Sequence, residues 1–125
     1  MKLENLYKIE ELPSAEGSSR LFEAIINPQS DIFKGHFPGA PVLPGVCTLY
    51  MLKDCLSLAL NSDVTISEIS QCKFTGMVDP VSEQRMEFQT EIKEESEKTG
   101  RVNATVKMGE TGRVIMKFRG GYRIG

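Results

Sequence analysis

The run from Pro28 to Pro44 constrains this chain more than any other part of it. It holds four of the six prolines (Pro28, Pro38, Pro41 and Pro44) together with Gly35 and Gly39. A locked φ and a missing N–H at that density exclude both a helix and a central strand. The run is nevertheless apolar, carrying Ile32, Phe33, Phe37, Val42 and Leu43. An ordinary solvent loop is more polar, so this arm is expected to pack over something. It ends where the longest helical signal begins. Gly45 to Asn61, GVCTLYMLKDCLSLALN, has no Gly or Pro after its first residue and is rich in Leu, Met and Ala, which are good helix formers. Val46, Leu49, Leu52, Leu56 and Leu60 form one apolar set, and Cys47, Met51, Cys55 and Leu58 fill in beside it. Only Tyr50, Lys53, Asp54 and Ser57 make a narrow polar face. A helix apolar around most of its circumference is a buried one.

The rest of the chain reads as strands. Leu3 to Leu12 is a short one, Pro13 to Ser19 a turn, and Arg20 to Asn27 a second strand by its β-branched and aromatic content. Val64 to Val78 alternates loosely through Ile66, Ile69, Cys72 and Phe74. Alternation is clean over Met86, Phe88, Thr90 and Ile92, over Val102, Ala104, Val106 and Met108, and over Val114, Met116 and Phe118. Turns containing Gly100, Gly109 and Gly112 are expected between these strands, and the charge run Glu94 to Lys98 reads as a solvated hairpin end. One helix cannot cover both faces of a parallel sheet. The pattern therefore implies an α+β fold, an antiparallel sheet wrapped around a single long buried helix. Its open edge invites a second copy, so a homodimer or higher even oligomer is expected.

Composition excludes several classes. With 125 residues, 40% of them apolar, the chain suits one domain, 1–125. A net charge of −2 gives no support for nucleic-acid binding. No apolar run approaches the ~20 residues that cross a bilayer, and Met1 to Leu12 lacks a secretory h-region, so a cytoplasmic protein is expected, with no membrane partner. The three cysteines, Cys47, Cys55 and Cys72, are odd in number and form no C-x-x-C pair. They read as reduced core residues, and neither a metal nor a cofactor is expected. The single histidine, His36, must carry any chemistry that needs an imidazole.

His36 lies in DIFKGHFPGAPVLPGV, Asp31 to Val46. The spacing of Gly35, His36, Phe37, Pro38, Gly39, Pro41, Val42, Pro44, Gly45 and Val46 resembles the GHFPG-x-PV-x-PGV run of the β-hydroxyacyl-(acyl carrier protein) dehydratases of fatty acid synthesis, which are hotdog proteins. CKFTGMVDP, Cys72 to Pro80, is similar to the strand that follows the helix in that family, and the order of elements fits over the whole chain. The physical chemistry of the run agrees with the resemblance. Prolines stiffen the arm, and an imidazole of ordinary pKa near ~6.5 accepts a proton at neutral pH. Pro44 and Gly45 stand at the helix entrance, where free N–H groups and the helix dipole suit a polarised carbonyl. Glycine there also permits close approach to the backbone.

The resemblance implies dehydration of a 3-hydroxyacyl thioester on acyl carrier protein or coenzyme A. The loop histidine is the base, the helix N-terminus holds the carbonyl oxygen, and a helix carboxylate fourteen residues after the histidine, commonly from the other subunit, handles the hydroxyl. Here His36 would be the base, Gly45 and Val46 the donors, and Phe33, Phe37 and Cys47 the lining. The match breaks at the carboxylate, because the residue fourteen places on is Tyr50. Tyrosine, with an ordinary pKa near ~10, donates a hydrogen bond but shuttles protons poorly at neutral pH. Asp54, one turn further along the same face, offers a substitute acid. The plainer reading of Asp54 is a solvated carboxylate beside Lys53. Nothing beside Cys47 in sequence would activate a thiol. Three functions compete on this footing: a dehydratase-like hydro-lyase, an impaired or inactive acyl-thioester-binding partner subunit, and, ranked last for want of a nucleophile with an activating partner, a thioesterase or isomerase. Lys34, Lys53, Lys73, Lys117, Arg119 and Arg123 read either as a basic rim for an acidic carrier or as ordinary surface charge.

Overall fold

The computed structural model describes residues 5–14, 17, 19–33 and 41–125. Six strands and one long helix occur among them: β1 (Tyr7–Leu12), β2 (Ser19–Ile26), α1 (Gly45–Leu60), β3 (Val64–Phe74), β4 (Arg85–Glu94), β5 (Thr99–Met108) and β6 (Val114–Ile124). The strands form one sheet in the order β1-β2-β4-β5-β6-β3, and every neighbouring pair is antiparallel. Helix α1 touches β1, β2 and β3. The two edge strands β1 and β3 lie furthest apart in the sheet yet both reach the helix, so the sheet curls around it, as the pattern of the sequence predicts.

Period-two alternation builds the inner face. Phe22, Phe88, Val106 and Met116 stand opposite one another across β2, β4, β5 and β6, and the row ends at Phe74 on β3. Every member except Phe74 is buried. Burying a side chain of this size stabilises the fold by about 1.5–3 kcal/mol. Thr90, buried in the next row, donates its hydroxyl to the Arg20 carbonyl at 2.9 Å, as a buried polar group must. The helix supplies Cys47, Met51, Leu52, Cys55 and Leu56 to the same core, all 0% exposed.

Three sequence expectations need correction. The buried stripe of α1 is centred on Met51, Leu52, Cys55 and Leu56. Val46 and Leu58 are 44% and 50% exposed, because the sheet covers only the flank of the helix that it curls against. The strand expected over Val64 to Val78 ends at Phe74. Its loose alternation has a cause in two register irregularities against β6, between Ile66 and Glu68 and between Ile69 and Gln71, each of which resets which face a side chain takes. Gly100 lies within β5, opposite Glu94 and Tyr122, and not in a turn. A Cβ there would meet the Tyr122 hydroxyl at 2.3 Å and the Lys93 carbonyl at 2.5 Å. The hairpin closes one step earlier, where the Glu95 amide donates to the Thr99 carbonyl at 2.9 Å. Residues 94–98 are exposed, as their charge predicts.

Of the arm before the helix, the described residues hold a single 3-10 turn, Asp31–Phe33. The arm is tied at both ends. The Asn27 amide donates to the Leu6 carbonyl at 2.7 Å and the Leu43 amide to the Val78 carbonyl at 3.0 Å.

Candidate active site

Pro44 opens α1 with extended backbone (φ −61°, ψ 140°) and no side-chain cap. Its carbonyl accepts the Cys47 amide at 2.9 Å. The amides of Gly45 and Val46 have no hydrogen-bond partner among the described residues, and Val46 is exposed. Free N–H groups at the positive end of a helix are donors looking for an oxygen. The side of Gly45 is not open, however. A Cβ at that position would lie 2.9 Å from the ring of Phe74, so glycine is required here by an aromatic wall, where the sequence suggested room for a ligand. Phe74 is itself 49% exposed. It closes one side of the helix mouth with a partly solvated ring.

The polar stripe of α1 continues from this mouth, and the structure divides it. Val46, Leu49, Tyr50 and Lys53 line a groove of about 400 Å³ together with Thr65 and Ile66 of β3. Tyr50 is 44% exposed there and makes no hydrogen bond among the described residues. Lys53 lies 4.0 Å from Asp63, and the Ser57 hydroxyl accepts the Val64 amide at 3.1 Å. Asp54 turns the other way, toward β1, where its Oδ2 accepts the hydroxyl proton of Tyr7. Burial pushes the Tyr7 phenol well above its ordinary range, and the hydrogen bond to Asp54 and that carboxylate's charge push it further, so Tyr7 remains a donor throughout the physiological range.

Cys47, in the first turn of α1, and Phe33 are both buried in the core. Burial raises the Cys47 thiol, which keeps it protonated at neutral pH. His36 and Phe37 fall outside the described residues, as does Lys34. Of the cations considered for a rim, Lys73 and Lys117 face each other across β3 and β6. Lys117 and Arg119 border a polar groove of about 510 Å³ that also takes in Arg20 and Gln71. Two residues that the sequence reading missed stand at the site, Tyr7 and Phe74. The missing signal was partnership across the fold: Phe74 was readable only as part of the strand run Cys72 to Pro80, and Tyr7 is not distinctive along the chain.

Among the described residues no group of three or more His, Cys, Asp or Glu side chains could hold a metal ion. No helix among them is long and apolar enough to cross a membrane.

Comparison with known proteins bears directly on this geometry. Residues 13–111 match the family model for ApeI-like proteins, described as ApeI dehydratase. The chain belongs to the ApeI-like dehydratase family. The 3-hydroxyacyl-[acyl-carrier-protein] dehydratase FabZ of Levilactobacillus brevis is 30% identical over 110 residues, covering 82% of this chain and 72% of the relative. Among solved structures, a chain of the dehydratase heterocomplex ApeI:P from Xenorhabdus doucetiae superposes with a TM-score of 0.70 at 18% identity, over 93% of this chain and 98% of that one. A hypothetical thioesterase with coenzyme A from Streptococcus pneumoniae superposes with a TM-score of 0.62 at 13% identity, over 94% and 86%. At these identities the superpositions speak to the fold alone, which is the hotdog fold. Both dehydratases and thioesterases are built on it, so fold does not choose between those chemistries; the dehydratase family assignment rests on the sequence.

Proposed function

We propose that this family member dehydrates a 3-hydroxyacyl thioester presented on acyl carrier protein or coenzyme A in the cytoplasm. The observation that carries the reading is the pair of amides, Gly45 and Val46, without partners among the described residues at the start of a buried helix, directly after the arm that bears His36. The thioester oxygen sits against those amides, which hold the charge that builds up as the neighbouring carbon loses its proton. His36 takes that proton. The hydroxyl leaves as water with a proton supplied from the polar stripe, where Asp54 is the only acidic side chain on α1 and Tyr50 is the hydroxyl of that stripe nearer the mouth. Phe33, Phe37 and Cys47 shape the floor and walls. Chemistry of this kind needs no metal or cofactor.

A second protomer completes the site. Strand β3 is a free edge, and Ile69, Phe74, Met77 and Val81 beside it are 49–68% exposed, which suits edge-to-edge pairing of two copies. The specific observation favouring a different partner is Tyr50, standing where the resemblance calls for a carboxylate. A non-catalytic subunit that binds acyl thioesters while a sister chain supplies the acid would look like this, and the ApeI:P structure is described as a heterocomplex.

Incubation of the chain with a 3-hydroxyacyl thioester tests the first reading. Enoyl product should form, and His36→Ala should slow it by about 10²–10⁴-fold. Absence of product, or indifference to His36→Ala, sinks it. A large gain from Tyr50→Glu on a nearly inactive parent would favour the partner-subunit reading.

A further inference from the structure

Among the cations that the sequence offered as a rim, Lys73, Lys117 and Arg119 stand together on the face of the sheet turned away from α1. Successive residues of a strand point to opposite faces. The buried row Thr90, Ala104 and Phe118 therefore fixes the faces of its neighbours. On one side of it Gln89, Thr105, Lys117 and Lys73 stand opposite one another across β4, β5, β6 and β3; on the other side Glu91, Asn103, Arg119 and Gln71 do the same. The groove of about 510 Å³ is lined by both of these rows, short of Lys73, and by the buried row between them. It thus crosses the outer face, with backbone for its floor. Its β6–β3 end carries unmatched charge. Lys117 and Lys73 are direct cross-strand neighbours, an arrangement that repels, and Arg119 follows on the same face. None of the three has a side-chain ion pair or hydrogen bond among the described residues. Arg101, by contrast, gives its guanidinium to Glu68 and Ser70 at 3.1 and 2.8 Å. The acid among the described lining residues, Glu91, stands two strands away on β4. The side-chain amides of Gln71 and Asn103, on either side of Arg119, and the Thr105 hydroxyl beside Lys117 make no hydrogen bond among the described residues either.

We infer that the β6–β3 end of this groove binds a small diphosphate-bearing ligand, with Lys73, Lys117 and Arg119 on the phosphates and Gln71, Asn103 and Thr105 donating around them. The guanidinium forks onto two oxygens of one phosphate, and the ammonium groups act as point charges on the other. An anion of several charges is called for, because three cations without counter-ions repel one another until one arrives. Two linked phosphates suit the spacing, since Lys117 and Arg119 lie in successive same-face rows about 7 Å apart at the backbone. A concave recess of this size suits a small molecule. The site lies on the opposite face of the sheet from α1, so it does not depend on the dehydration reading.

The test is calorimetric titration of the full chain with inorganic pyrophosphate at fixed ionic strength, with melting temperatures recorded. Binding should be saturable, and Lys117→Gln and Arg119→Gln should each weaken it about tenfold or more, the scale of a lost hydrogen bond between charged groups. Arg123→Gln, on the same strand and face but outside the groove, should leave it unchanged. Without ligand, Lys117→Gln should not lower the melting temperature, because it relieves the repulsion from Lys73. Pyrophosphate should raise the melting temperature of the wild type and leave that of the Lys117→Gln/Arg119→Gln variant where it was. ADP and coenzyme A carry the same diphosphate as esters; binding of either at least as tight as pyrophosphate supports the inference and separates a free nucleotide from an acyl carrier as its source. No saturable binding, an effect matched by potassium chloride, or equal affinity in Lys117→Gln and Arg119→Gln would each overturn it. Capture of pyrophosphate but of neither ester would overturn it too, as an adventitious ion only. Enoyl formation and its dependence on His36 are measured separately and stand or fall without it.

Discussion

Gly45 shows how packing across the fold can constrain one residue at a helix entrance. It starts the helix, its amide has no partner among the described residues, and the ring of Phe74 occupies the space a side chain would need. In an exposed first turn, replacing Gly by Ala is favourable by roughly 0.5–1 kcal/mol. Against a ring 2.9 Å from the new Cβ, overpacking costs about 1–3 kcal/mol and wins. Gly45→Ala should therefore lower the urea midpoint, and Phe74→Ala introduced with it should return part of the loss. The need for glycine at the helix entrance was legible in the sequence, but its reason was not, because Phe74 lies on another strand. His36 and the helix mouth were likewise readable as neighbours along the chain. The grip of Tyr7 on Asp54 spans 47 positions and leaves no local trace.

At the scale of elements, clean alternation located β4, β5 and β6, and the long apolar run located α1 to within a residue of its observed end. Where local rules failed, a partner strand had intervened. Gly100 reads as a turn residue, yet it sits in β5 beneath the hydroxyl of Tyr122. That hydroxyl is buried and has no hydrogen-bond partner among the described residues. Leaving such a group unsatisfied costs about 1–3 kcal/mol, so Tyr122→Phe should raise the urea midpoint at an unchanged slope. Gly100→Ala should destabilise even in the Tyr122→Phe background, because the Lys93 carbonyl, 2.5 Å from the added carbon, is backbone and cannot step aside. The irregular reading of β3 has a similar origin, in two register shifts that only β6 reveals.

For the molecule as a whole, the low-pH limit follows from its surface carboxylates. The Arg20 guanidinium holds Glu11 below its usual range through paired hydrogen bonds. Arg101 and the Ser70 hydroxyl lower Glu68, and the Val81 amide and Ser82 hydroxyl lower Asp79. A depressed carboxylate binds fewer protons folded than unfolded, so unfolding takes up protons and stability rises with pH across that interval. The stabilisation is present above the ordinary carboxylate range and is lost as pH falls through the lowered values. Melting temperature should accordingly be flat near neutrality and drop below about pH 4.5. Arg20→Gln should blunt that drop; an identical acid limb in this variant would remove Glu11 from the account. The fold class and the antiparallel wrap were both readable from the order of elements, since a lone helix among hairpins leaves few alternatives. Which strand would meet which was not, because β2 joins β4 past the intervening helix and β3.

That strand order carries a consequence for synthesis. Among the described residues the sheet neighbour of β3 is β6, which lies beyond β4 and β5 in the chain, and Gly125 donates to the Asp63 carbonyl at 2.9 Å. Until β6 has been made, one lip of the cradle lacks its sheet partner and part of α1 stays bare. The nascent chain must therefore keep its apolar helix sheltered until β6 has emerged, and loss of that strand strips away the rib on which β3 is paired.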